Sequence, residues 1–287
     1  MKTFCITFDV DLTDYLSQQN ADELEEAFNQ IKAVLVNYPE VKTTWFIRID
    51  YQIEILFGQP DYIFIKHQDK LNWLTDNGHI LAWHYHAYHQ IGSDWQQHTD
   101  EDVICAELEK YAPIAKKYRL AITRMGWGFH TTKTLEKIFS LEFNADSSAI
   151  PRPKYKWDLS KRDWENTPLT PYYPSKTDYR ITGNDTIGIL EIPITTTVIK
   201  INSDTEEVKR YINIAYKHEA FATAIRSLEK LNNIVSITHP YELVSNSISH
   251  PLYSFDINTL EQNINYLINS GYRLIDMLTL ITTNENT

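Results

Sequence analysis

Short β-branched or aromatic runs alternate with segments of helical period along most of this 287-residue chain, and that alternation narrows the possible folds more than any other feature. Thr3 to Phe8 reads as a buried strand whose end carries Asp9 and Asp11. Asn20 or Asp22 then caps a helix in which Leu24, Ala27, Phe28, Ile31, Val34 and Leu35 recur at three- and four-residue steps. Val41 to Ile47 is a second strand, Lys66 to Asn77 a second helix closed by Gly78, and His79 to His84 a third strand. The rhythm continues with a helix from about Asp100 to Tyr118, a strand at Ala121 to Arg124, a helix at Thr131 to Ser140 and a short strand at Phe143 to Asp146. Chains built this way form largely parallel sheets with helical crossovers.

Pro151 to Pro174 interrupts the alternation with proline, tryptophan and tyrosine, and reads as a long loop over one end of the sheet. Strands return at Ile187 to Ile192 and Thr196 to Ile201, a helix is expected over about Glu206 to Leu231, and Ile234 to Thr238 is a strand ending at His239. A helix at Asn258 to Ser270 stops at Gly271 before a strand at Arg273 to Asp276. No repeat of 20 to 50 residues interrupts this order. Because α/β barrels often run to about 250 residues as one unit, residues 1–287 are read as a single domain.

Lys and Arg number 27 against 38 Asp and Glu, a formal charge of −11, and no basic patch offsets it. A polyanion would be repelled on average, which argues against nucleic acid or an anionic membrane as partner. The N-terminal apolar run is broken by Asp9 and is too short for a signal sequence or a membrane span, so a cytoplasmic protein with Cys5 and Cys105 reduced and buried is expected. The oligomeric state has no signature in the sequence.

The chemistry-bearing residues follow strands: Asp9 and Asp11, His84 to His89, Arg124, Asp146, and His239. Parallel α/β folds assemble their sites at the carboxyl ends of strands, so segments distant in sequence converge there. Four of the ten histidines, His79, His84, His86 and His89, fall within eleven positions. Residues two apart on a strand share a face, so His84 and His86 can offer ring nitrogens to one ion, whereas His79 reads as a packing histidine. Asp9 and Asp11, also two apart, would repel each other without a cation nearby, which suits one as ligand and the other as proton acceptor. Three protein ligands leave a position open for water.

In their order, Thr7-Phe8-Asp9-Val10-Asp11, the histidine segment, Arg124-Met125-Gly126-Trp127-Gly128, Asp146-Ser147-Ser148 and Thr238-His239-Pro240 resemble the motifs of the polysaccharide deacetylase family, the nodulation-factor deacetylase homology group. The resemblance spans nearly the whole chain. It implies a distorted β/α barrel and a divalent metal, usually zinc, that serves to remove N-acetyl or related acyl groups from amino sugars. Carried over, it makes Asp9 the general base, Asp11 the metal carboxylate and His84 the first metal histidine. Arg124 would orient the base, His239 would be the general acid, and Asp146 would be the carboxylate supporting that acid.

Three departures stand out. Val10 separates aspartates that are usually adjacent, so which of Asp9 and Asp11 binds metal stays open. Tyr88 occupies the place of the usual second metal histidine, leaving His86 and His89 as candidates on either side. The Arg124 motif lacks the family's proline. Trp83, Trp127 and Tyr172, with Trp157, Trp164 and Tyr173, are expected near the rim, where aromatic faces stack on sugar rings. The expected substrate is a small or carrier-linked amino sugar. A deformylase or another amide hydrolase on the same scaffold, and a non-catalytic sugar-binding relative, are the alternatives.

Overall fold

The computed structural model describes residues 2–11, 18–155, 161–200, 207–244 and 250–285, with no account of the side chains of 18–22, 284 and 285. From the N-terminus the chain runs β1 (Lys2–Val10), α1 (Gln18–Leu35), β2 (Thr43–Arg48), α2 (Tyr51–Phe57), α3 (Tyr62–Lys66), α4 (Gln68–Asp76) and β3 (Ile80–Tyr85). Next come β4 (Tyr88–Ile91) and β5 (Asp94–Gln97), then α5 (Glu101–Lys117), β6 (Ile122–Met125), α6 (Thr132–Ser140) and β7 (Ala145–Asp146). The rest comprises β8 (Leu190–Glu191), β9 (Thr196–Lys200), β10 (Glu207–Tyr211), α7 (His218–Ser227), β11 (Asn233–Val235), α8 (Asn258–Asn269), β12 (Tyr272–Leu274) and α9 (Met277–Glu285). The main sheet has the order β11-β1-β2-β3-β6-β7-β8, with β12 also pairing to β1. This is the largely parallel α/β sheet that the alternation called for.

Two compact units make up the chain: residues 1–45, 67–81 and 195–287 form one, and 46–66 and 82–194 the other. In the first, β1 is buried along its length from Thr3 and lies parallel to β11 and β12, with Phe4 opposite both Ile234 and Leu274. Burial on both faces explains why β1 reads as a continuous apolar and β-branched run rather than an alternating one. Phe8 and Phe28 stack on Trp45 at 4.3 and 5.1 Å, anchoring α1 to this sheet. A further parallel bridge joins Phe8 to Thr238, so the ends of the first and eleventh strands finish side by side. His79 packs here as expected, its Nδ1 accepting the Thr43 backbone N–H at 3.1 Å; burial drops its pKa to about 4.

In the second unit β3 pairs parallel to β6 with His84 opposite Arg124, and β6 pairs to β7 with Thr123 opposite Asp146. Both flanking helices are capped at their N-termini: the Asp100 side chain accepts the Asp102 and Val103 N–H groups ahead of α5, and Thr131 forms a reciprocal box with Thr134 ahead of α6. Cys5 and Cys105 are both buried.

The helix expected over Glu206 to Leu231 is replaced by a strand and a shorter helix. Glu207–Tyr211 pairs antiparallel with β9, Val208 opposite Ile199, and α7 starts only at His218; residue 206 lies outside the described residues. Pairing with a neighbouring strand overrides the weak local helical pattern. The cap expected from Asn20 or Asp22 is superseded as well, because α1 already runs from Gln18.

Candidate active site

The first unit brings together the ends of β1 and β11. Asp9 is 2 % exposed and its backbone N–H donates to Thr238 O at 2.9 Å; Asp11 N–H then donates to Asp9 O, so the chain turns in just past the strand. On the neighbouring strand, Pro240 opens a tight turn directly after His239. The ring of His239 lies with Nε2 3.6 Å from Asp11 Oδ2 and Nδ1 3.2 Å from Glu242 Oε1, and it stacks on Tyr241 at 5.3 Å. Burial disfavours the charged ring, but Glu242, helped by Asp11 and Asp9, outweighs it and holds the imidazolium well above the ordinary histidine range. Burial likewise opposes the Glu242 carboxylate, and His239 and Asn213 outweigh it in turn, lowering its pKa.

The second unit supplies the histidines. His84 Nδ1 donates to the Arg124 carbonyl at 2.9 Å, which makes Nε2 the ring nitrogen that carries the lone pair. His86 Nε2 faces it at 3.0 Å. His86 is fixed from several sides. Its backbone N–H reaches Asp50 Oδ2 at 3.4 Å, and Asp50 is paired to the buried Arg48 at 2.8 Å. Its ring lies parallel on Tyr88, centroids 5.0 Å apart and planes 6° apart. On the other side is Gly126, where a Cβ would come within 2.3 Å of the imidazole, so only glycine fits. Arg124 itself is pinned by hydrogen bonds to Ser147 O and Oγ at 2.8 and 2.9 Å, with its guanidinium 3.8 Å from the centre of the Phe46 ring.

Among the described residues of the second unit, His84 and His86 bring two metal-capable nitrogens within 3.0 Å of each other, and in the first unit Asp11 offers a carboxylate 3.6 Å from His239. One carboxylate and two imidazoles suit zinc and other first-row divalent ions, and the Nδ1 hydrogen bond of His84 orients a ligand in the usual way. His89 is not part of the histidine pair; it sits on β4 with its ring 4.7 Å from that of His98.

Asp146 is fully buried at the end of β7, where it accepts hydrogen bonds from Thr123 Oγ1 at 2.6 Å and Ser148 N–H at 2.9 Å and lies 3.4 Å from His130 Nε2. Burial works against its charge, but His130 prevails and brings its pKa down to about 2. Its neighbour Glu191 is pushed the other way, well above the carboxylate range, first by burial and then by Asp146. Within the first unit, the carboxylate near Nδ1 of His239 is that of Glu242, at 3.2 Å. The spacing His239-x-x-Glu242 was the only signal for it in the sequence.

The expected aromatic rim thins out. Trp83 is a core residue, 1 % exposed, its indole donating to Ile49 O at 3.0 Å. Tyr172 is buried with its hydroxyl on Tyr179 O, and Trp164 is buried with its indole on Gly128 O. Buried rings offer no face to a sugar. Trp127 and Tyr173 remain exposed, and Trp127, at φ +60°, is held by its indole N–H on Tyr88 Oη at 2.9 Å. Trp157 lies outside the described residues.

No family model matches the sequence, and no curated protein matches it. Solved structures do. The chain is similar to a Mycobacterium smegmatis protein assigned to the polysaccharide deacetylases, with 14 % identity and a TM-score of 0.59 over 97 % of this chain and 89 % of that one. It is also similar to a 4-alpha-glucanotransferase from Thermococcus litoralis, at 12 % identity and a TM-score of 0.54, covering 98 % of this chain but 38 % of the other. An alpha-mannosidase from Enterococcus faecalis aligns at 11 % identity and 0.50, over 96 % and 28 %. At these identities the likeness is one of fold, and it agrees with the α/β architecture of the polysaccharide deacetylase type.

Proposed function

We propose that residues 1–287 form one catalytic domain, a metal-dependent hydrolase of the polysaccharide deacetylase family that removes an N-acetyl or related acyl group from an amino sugar. The observation that carries this reading is the pairing of the His84 and His86 Nε2 atoms at 3.0 Å at the end of a strand, the imidazole pair that a metal site requires. The fold shared with the M. smegmatis protein supports it. We assign zinc as the ion; bound there, it would polarise the amide carbonyl and acidify water.

The chain's own residues do the rest. Asp9 takes the proton from the attacking water as its oxygen bonds to the acyl carbon. His239, held protonated by its carboxylate neighbours, delivers a proton to the nitrogen as the carbon–nitrogen bond breaks, so an amine leaves rather than an amide anion. Arg124, fixed by Ser147, orients the base. Trp127, exposed and anchored by Tyr88, offers a stacking face to the sugar. We place the reaction in the cytoplasm on an amino sugar, free or carrier-linked; the two buried cysteines suit a reducing compartment. Among the described residues no helix is long and apolar enough to cross a membrane.

Acetate release from a panel of N-acetylated amino sugars, measured before chelation, after it and after zinc is restored, tests the proposal. Release that disappears with chelation and returns with zinc supports it. Formate release from N-formyl sugars alone would reassign the acyl group, and absence of any zinc-dependent release would refute the hydrolase reading.

A further inference from the structure

We infer that Arg210, Lys217 and the Nε2–H of His250 form an anion-recognising subsite beside the proposed acid, and that it takes a phosphate carried by the amino sugar. The inference deepens the proposed function and rests on it, and the whole subsite lies within one compact unit.

The chain carries a formal charge of −11, so its average field repels an anionic substrate, and a phosphate needs cations gathered locally. The fold gathers them. β10 ends at Tyr211, and the chain then turns so that Tyr216 bridges antiparallel to Tyr253 and Lys217 N–H donates to Leu252 O at 2.8 Å. That bridge brings Lys217 to the segment of His250, whose Nδ1 accepts the Leu252 N–H at 3.1 Å. With Nδ1 accepting, the hydrogen of the neutral ring sits on Nε2, which makes that nitrogen a donor. Arg210 joins from the strand, its guanidinium 5.5 Å from the centre of the Tyr211 ring. Both cations act on His250: burial lowers its pKa, and Arg210 and Lys217 lower it further against the pull of Glu242.

Among the described residues neither Arg210 nor Lys217 makes an ion pair. The groups that face Arg210 are Tyr211, Tyr216 and Tyr253. Burial raises Tyr216 and Tyr253 above the ordinary phenol range, so both stay neutral and give the guanidinium no counter-charge. A half-buried guanidinium without an anion works against stability, and a ligand supplies what the fold withholds. A planar fork, an ammonium and an imidazole N–H offer donors only, a set that suits the several oxygens of a phosphate ester better than the two of a carboxylate.

Asn213 ties this subsite to the proposed acid. Its Nδ2 donates to Glu242 Oε2 at 2.6 Å and reaches Tyr253 Oη at 3.4 Å, and the Tyr253 ring lies 4.7 Å from that of His250. Glu242 Oε2 also accepts the His239 backbone N–H at 2.8 Å. One buried amide and one phenol thus stand between His250 and the turn that carries His239, which makes the phosphate a substituent of the reacting sugar rather than a remote effector.

Equilibrium binding to the full, zinc-loaded chain tests this with D-glucosamine derivatives that have no acyl group to lose: the anomeric phosphate, the uridine diphosphate, the uronate and the neutral methyl glycoside. Wild type should bind both phosphorylated forms about 10- to 100-fold tighter than the glycoside, the range a charge-assisted hydrogen bond supplies. The preference should shrink as salt is raised. In Arg210→Gln the ratio should fall to within about threefold of unity. Lys217→Ala, at an exposed position where folding is not at stake, should cut it about two- to fivefold. Equal binding of phosphorylated and neutral forms by wild type overturns the inference without any variant, as does an Arg210→Gln protein that keeps the wild-type ratio. A preference that the uronate shares overturns the choice of phosphate. Acyl release judges the proposed function separately: a protein that hydrolyses nothing yet selects the phosphorylated forms loses the hydrolase reading and keeps the subsite.

Discussion

His84 and His86 point their Nε2 atoms at each other across 3.0 Å, at the end of a strand whose alternation puts both rings on one face. Two neutral imidazoles so placed can share one hydrogen, or both can turn their lone pairs to a common cation. Because the Nδ1 of His84 is already spent on the Arg124 carbonyl, its Nε2 carries no hydrogen in the neutral ring and is ready to coordinate. His84→Ala should therefore weaken zinc binding by more than about 100-fold, beyond the 10- to 100-fold typical of losing an outer-shell partner. Metal analysis after dialysis against a competing chelator measures it. Wild-type zinc retention would remove His84 from the ligand set.

Gly126 makes a sharper test of the same site, because it touches the ring without offering a ligand. A methyl group there would sit 2.3 Å from the His86 imidazole, far inside van der Waals contact. The ring is backed by Tyr88, whose plane lies within 6° of its own, so it has no easy retreat. Gly126→Ala should cost about 1–3 kcal/mol in stability and lower zinc affinity at the same time, read by melting temperature and by zinc titration. A variant that binds zinc like wild type would show that the clamp on His86 does not set its position.

These two predictions lean on parts of the site that the sequence made legible to different degrees. Asp9, Asp11, His84, Arg124 and His239 stood out because parallel strands are buried on both faces, so a charged or imidazole side chain at the end of an apolar run is conspicuous. The faces of those runs were not legible. Trp83 alternates with His84 along one strand and so points into the core, which periodicity alone does not reveal when both faces are apolar. Tyr172 is likewise buried by a bridge between its backbone and Glu191, a contact that no local pattern encodes. Glu242 was missed because its bearing on His239 depends on the path of the Pro240 turn. The strand Glu207–Tyr211 was missed because its partner, not its composition, makes it a strand.

The buried pair Asp146 and Glu191 predicts a pH dependence of stability. Burial and Asp146 raise the folded pKa of Glu191 well above its ordinary 4.5. A group raised in this way contributes fully below about that value, and its contribution drains as pH climbs toward the folded pKa. Asp146 runs oppositely: lowered from 3.8 to about 2, it contributes above the first value and loses that contribution as pH falls through the second. Glu191→Gln keeps an acceptor for Ala149 N–H, which now bonds Oε1 at 2.8 Å, and has no proton to lose. Its melting temperature should gain on wild type steadily as pH rises above about 4.5 toward the raised folded pKa. Parallel curves for the two proteins would mean that Glu191 is not protonated in the fold.

His239 separates binding from chemistry. It stands 3.6 Å from Asp11, and on its other side Glu242 lies 3.2 Å from Nδ1. Removing it takes away the proton that the departing nitrogen needs and leaves all three proposed ligands in place. An amine expelled without that proton would leave as an anion, so the barrier rises at bond cleavage rather than at substrate binding. His239→Ala should lower kcat by about 10²- to 10⁴-fold, with zinc stoichiometry at the wild-type level. An added small base such as imidazole, in its protonated form, should restore part of the rate by filling the vacated space. The opposite pattern, zinc lost and turnover per bound zinc preserved, would make His239 a ligand and leave the acid to be found elsewhere.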